Sequence, residues 1–133
     1  MGLQVKIIKN NKGQALVEFA IILPILLLLI MGIVQFGMMI NSYLSIQYAA
    51  REGARAGIVG STDSEIKNLI TADSPSLDSS KLTVTITPAL SNRKSGDTLT
   101  VKVSYSYNLT IPVISSIFKN SIILSSQTSM RIE

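Results

Sequence analysis

The sequence predicts an α+β protein: a long N-terminal transmembrane helix (about residues 14–58) running into a small head with a short helix and a three-stranded antiparallel sheet. Three observations carry this. Phe19 to Val34 is sixteen residues without a charge or carboxamide. Beyond it, residues at three- to four-residue spacing continue a helical pattern to about Gly57. Two later segments, LTVTIT and TLTVKVSYSYNLTI, alternate apolar and polar residues with the period of a strand.

In chain order, residues 1–13 form a short basic segment, with Lys6, Lys9 and Lys12 clustered ahead of the apolar run and a glycine, Gly13, closing it. Lysines in that place read as a topology signal. Met1-Gly2 does not make a myristoylation site, because Lys6 stands where that motif needs Ser or Thr. An ordinary secretory signal also fails. The apolar run is too long, and the small-x-small site Ala54-Arg55-Ala56 lies about fourteen residues past it.

After Gln35 interrupts it, the apolar run resumes as Phe36-Gly37-Met38-Met39-Ile40. About 22 residues at ~1.5 Å each span roughly 33 Å, enough to cross a bilayer's hydrocarbon. Being apolar on every side, this segment suits lipid or other such helices. Pro24 removes one backbone donor and crowds the carbonyl of Ala20, so a bend or loosening is expected there. The helix should continue through Leu44, Tyr48, Arg51, Glu52 and Arg55, with Ala49, Gly53 and Gly57 on another face and stop signals at Gly57 and Gly60. The small-residue face permits close backbone approach and is expected to pack on the head. Arg51 and Arg55, partly relieved by Glu52, read as a solvated face or as a contact with a partner or lipid phosphates.

The 73 residues beyond Gly60 form the head, about a third of them Ser or Thr. Thr62 or Asp63 is expected to cap a helix over SEIKNLIT whose apolar face is Ile66, Leu69 and Ile70. In the strand 97–111, Leu99, Val101, Val103, Tyr105, Tyr107, Leu109 and Ile111 point inward. SNRKSGD has turn chemistry, so LTVTIT and this strand should pair as a hairpin. Val113, Ile114, Ile117 and Phe118 make an apolar connector after Pro112, and SIILSSQTSMRIE is a third, less regular strand. The expected organisation is residues 1–13, a leader; 14–60, the transmembrane and stem helix; and 61–133, the head.

Composition limits the chemistry. The chain has no Cys and no His, which excludes Cys/His zinc sites, thiol nucleophiles, Ser-His triads and disulfides. Asp63-Ser64-Glu65 lacks the spacing of a metal loop and fits a helix start better. No nucleophile–base or acid pair is visible, so no enzyme, cofactor or small-molecule substrate is expected. A net charge of +4 spread along the chain does not make a nucleic-acid stripe.

Glu18 stands at the lip of the apolar run, where a charge is costly unless it reaches water or a partner. One reading is an interfacial carboxylate. The other starts from Gly13, five residues earlier: cleavage after it would leave a protonated α-amine on Gln14 able to pair with Glu18 of the same or a neighbouring subunit. The stretch KGQALVEFAIILP resembles the class III leader and helix start of type IV pilins. More narrowly, EFAIILPILLLLIMGIVQFG with AAREGARAG resembles the TadE-like pseudopilins of tight-adherence (Flp) pilus systems, and ILSSQTSMRIE is similar to their final strand. The resemblance implies that Gly13 and Gln14 are a prepilin-peptidase cleavage pair, that Glu18 is an assembly carboxylate with Phe19 in the aromatic place after it, and that Pro24 belongs to the family's helix. It further implies a minor pilin or pseudopilin in the cytoplasmic membrane, single-pass with its head outside, whose partners are the peptidase, other pilins, the assembly platform and lipid. Adhesion, secretion and DNA uptake are the roles open to such a pilus. The alternative is an unprocessed single-pass anchor whose β head binds a ligand or envelope partner.

Overall fold

The computed structural model describes Gly2 and residues 11–133. The leader lysines Lys6 and Lys9 lie outside the described residues. Helix α1 covers Asn11–Ile58, and its helical assignment passes through Pro24 without interruption. The residues from Gln35 to Glu133 cluster as one compact unit, and those before Gln35 as another. The second half of α1 is therefore part of the head's own packing.

Helix α1 stops at Gly60, with Gly57 remaining inside the helix. Gly60 has φ +102°, a left-handed conformation that costs a residue with a Cβ. The Gly60 N–H donates to the Gly57 carbonyl (3.3 Å) and the Ser61 N–H to the Ala56 carbonyl (3.2 Å), the bond pair of a Schellman cap. Gly57 serves packing instead.

Helix α2 covers Asp63–Ala72. Thr62 is its N-cap: its hydroxyl accepts from the Glu65 N–H, and the Glu65 carboxylate accepts from the Thr62 N–H, so two otherwise orphaned donors are satisfied. Strands β1 (Leu82–Thr87), β2 (Thr98–Asn108) and β3 (Ser121–Arg131) form one sheet in the order β1-β2-β3, both pairs antiparallel. A six-residue helix, α3 (Pro112–Ile117), lies between β2 and β3.

The alternation seen in the sequence sorts the sheet into two faces. Leu99, Val101, Val103 and Tyr105 are buried, and register places Leu82, Val84 and Ile86 of β1 and Leu124 and Met130 of β3 on the same side. These meet Ile46, Ala50 and Ala54 of α1 and Ile66 and Ile70 of α2 in one hydrophobic core. The opposite face carries hydroxyls, with Thr100 and Ser129 bonded across the β2–β3 pair at 2.8 Å. Strand β2 ends at Asn108, before the expected 111. The Leu109 N–H still donates in register to the Asn120 carbonyl (2.9 Å), but the Asn120 N–H turns back to the Ser115 carbonyl (2.9 Å) and the Thr110 N–H to the side chain of Gln35 (3.1 Å), so the ladder stops there. Leu109 and Ile111 are nonetheless buried, as their phase in the alternation requires.

The small-residue face of α1 does pack on its own head. A Cβ built at Gly53 would stand 2.8 Å from Ile70 Cδ1, and one built at Gly57 would collide with Leu99 Cδ2. Ala49 beside them is fully buried.

Candidate functional site

Gly13 and Gln14 lie in helical backbone. Four residues on, one turn along the helix, Glu18 accepts a hydrogen bond from the Gln14 side-chain amide, Nε2 to Oε1 at 3.2 Å. Among the described residues this amide is the one donor to the Glu18 carboxylate. Val17, Phe19, Ile21 and Ile22 around it are exposed. A carboxylate fringed by exposed apolar side chains presents one strong acceptor on an otherwise greasy surface. Such an acceptor suits a cationic donor. Phe19 and the residues flanking Pro24 belong to the same exposed surface.

A second polar group in this helix is used quite differently. Gln35 is 5% exposed. Its Nε2 donates to the Tyr107 hydroxyl at 2.9 Å, and its Oε1 accepts from the Thr110 N–H at 3.1 Å. Both ends of the carboxamide are therefore spent within the head. Sequence reasoning saw Gln35 only as an interruption of the apolar run. The signal that could have found it is energetic: an unpartnered amide in such a run is costly, so a partner is to be expected.

Arg51, Glu52 and Arg55 are exposed on α1, none of them in an ion pair among the described residues. The cation that the fold does use is Arg93, which sequence reasoning placed in a turn. Its side chain is 6% exposed. It donates to the carbonyls of Pro88 (3.2 Å) and Ser61 (2.9 Å) and forms an ion pair with Asp63 at the start of α2. This planar fork joins the β1–β2 connection to the α1–α2 turn, and nothing in the local sequence marks it. Beside it, Gly57, Val59, Leu90, Arg93, Ile132 and Glu133 line an open groove.

The helix Asn11–Ile58 is long and apolar enough to cross a membrane, which fits a membrane-anchored protein. Residues 13–55 match the family model of TadE-like proteins. The match covers the segment from Gly13 through the AAREGAR stretch, where the resemblance in the sequence is strongest, and it suggests involvement in the Tad pilus system. No curated protein and no solved structure matches the chain.

Proposed function

With residues 13–55 TadE-like, we propose that the protein is a non-enzymatic minor pilin or pseudopilin of a tight-adherence (Flp-type) pilus. It is made as a precursor with its lysines in the cytoplasm and its head outside, and a prepilin peptidase cleaves it between Gly13 and Gln14. The observation that carries this reading is the Gly13-x-x-x-x-Glu18 spacing inside the matched segment, at the start of an apolar helix. A head of 73 residues after Gly60 favours an assembly role over that of the bulk fibre subunit.

The chemistry supports the reading at atomic scale. Gln14 already touches Glu18 through its side chain. Cleavage would convert that same residue into a terminus bearing an ammonium, at the same depth in the membrane as Glu18 of a neighbouring subunit. A charge-assisted pair in that layer is stronger than the amide contact it supplements. Gly13 eases the cut, because glycine is a poor helix former and lets the terminal turn open for the peptidase. Arg51 lies sixteen residues past Gln35 on α1, roughly 24 Å along the helix axis, and Arg55 four residues farther. That height suits contact with another pilus component better than contact with lipid phosphates.

The test expresses the chain with an active prepilin peptidase. Intact-mass measurement should find a processed chain of 120 residues beginning at Gln14, and Gly13→Val should block processing. Glu18→Ala should insert and be cleaved normally yet fail to co-purify with the pilus machinery. Full-length protein in those cells, or normal assembly by Glu18→Ala, would overturn the reading and favour an unprocessed anchor.

A further inference from the structure

We infer that the loop between β2 and β3, led by the apolar face of α3, is a lipid-contacting foot that seats the head on the outer surface of the bilayer. The inference rests on the reading of α1 as membrane-spanning.

The loop is built, and its apolar side chains face out. Val113, Ile117 and Phe118 are 57%, 70% and 53% exposed. Val113 and Ile117 are one helical turn apart, so they share a face. The hydroxyls of Ser115 and Ser116 donate back to the Pro112 carbonyl at 2.9 and 2.8 Å, so these two hydroxyls are satisfied within the loop. The base is closed by Leu109 N–H to Asn120 carbonyl and Asn120 N–H to Ser115 carbonyl, both 2.9 Å, with Leu109 and Ile111 buried beneath. A loop this well tied down holds three large apolar side chains in the open.

The length of the span says what covers them. From Phe19 to Val34 there are sixteen residues between Glu18 and Gln35. At 1.5 Å per residue these cover ~24 Å, short of the ~30 Å hydrocarbon thickness. With Glu18 at one edge, the other edge falls roughly a turn beyond Gln35. Gln35 is the residue whose carboxamide holds Thr110 and Tyr107, so the loop that follows Thr110 lies at the same edge. The exposed apolar residues Phe36, Met38 and Ile40 on α1 continue past Gln35, as a helix still in lipid requires. Lys119 follows Phe118 directly and is exposed, a cation placed for phosphate headgroups behind an apolar wedge. The carboxamide, with both ends bonded, can sit at that depth without an orphaned polar group.

The chain has no cysteine, so single-cysteine labelling of the full-length protein is direct. Ile117→Cys, Val113→Cys, Leu27→Cys in the apolar run and Thr85→Cys on the hydroxyl face would each carry an environment-sensitive fluorophore. They would be reconstituted in phosphatidylethanolamine–phosphatidylglycerol vesicles with bromine placed near the headgroup or at mid-chain. The expected result is blue-shifted emission at positions 113 and 117 quenched most by shallow bromines, at 27 quenched most by deep bromines, and neither at 85. Quenching at 27 without quenching at 113 and 117 overturns the foot and leaves the span standing. A blue shift at 117 that no brominated lipid quenches means a protein covers the loop, and also overturns it. No quenching at 27 overturns the span and the foot with it.

Discussion

Gln35 shows how one side chain joins two parts of a fold. Gln35→Leu keeps its volume but leaves the Thr110 N–H and the Tyr107 hydroxyl without their partner, which should cost about 1–2 kcal/mol. Tyr107→Phe removes one of these bonds and should cost less, and thermal melting of the detergent-solubilised chain would rank the two. An equal effect would mean that the bond to Thr110 contributes nothing. Asp78 offers a test by pH. Its carboxyl is held below the usual carboxylate range, chiefly by the Ser80 hydroxyl and then by the Ser80 N–H, with Lys81 assisting. A depressed folded-state value contributes stability above the ordinary carboxylate pKa, and that contribution is lost as pH falls through the lowered one. Ser80→Ala should return the Asp78 titration, followed by NMR, toward the ordinary value.

Two glycines of the same helix face are expected to behave differently. Replacing a helix-interior glycine by alanine gains about 1 kcal/mol of helix propensity. At Gly53 the new Cβ would stand 2.8 Å from Ile70 Cδ1, 3.1 Å from Ile70 Cγ1 and 3.2 Å from Ile66 Cγ2, both side chains fully buried, so the overlap offsets that gain and Gly53→Ala should fall between wild type and Gly57→Ala. At Gly57 it drives into Leu99, itself fully buried, and overpacking of that kind costs about 1–3 kcal/mol. Gly57→Ala should therefore be net destabilising and Gly57→Val more so, read as midpoint shifts in chemical denaturation. If Gly57→Val melted like wild type, α1 would not pack on β2 as described. Strand β2 owes its central place to the same logic: hydrogen-bonded on both sides, with an inner row of Leu99, Val101 and Val103 that excludes water.

The whole molecule joins a free apolar helix segment to a head that has taken the rest of that helix into its core. Cooperative unfolding of residues 35–133 follows, because Ile46, Ala50 and Ala54 of α1 cannot leave without exposing the sheet's inner face. The lysines ahead of the apolar run predict that the head lies outside the cytoplasm. Reporter fusions at Glu133 should accordingly be active with an exported enzyme and silent with a cytoplasmic one; the reverse pattern would invert the orientation.

Local sequence alone determined the long helix by its apolar run and the spacing that continues it, the α2 segment by its cap, the hairpin by its turn chemistry and the inward row of β2 by alternation, because such signals are set by backbone geometry and need no knowledge of distant neighbours. The Gly13–Glu18 spacing was equally legible, being a local relation along one helix. Tertiary structure alone decided the rest. Which glycine ends α1 depended on the bonds made at Gly60, while Gly57 was claimed by Leu99. Where β2 stops depended on a hydrogen bond from residue 110 to residue 35, and the anchoring of the β1–β2 connection on Arg93 reaching Asp63 and Ser61. These are contacts between residues thirty to seventy-five positions apart. A linear pattern carries the cost of leaving such a group unpaired, but the identity of its partner is set only when the chain closes on itself.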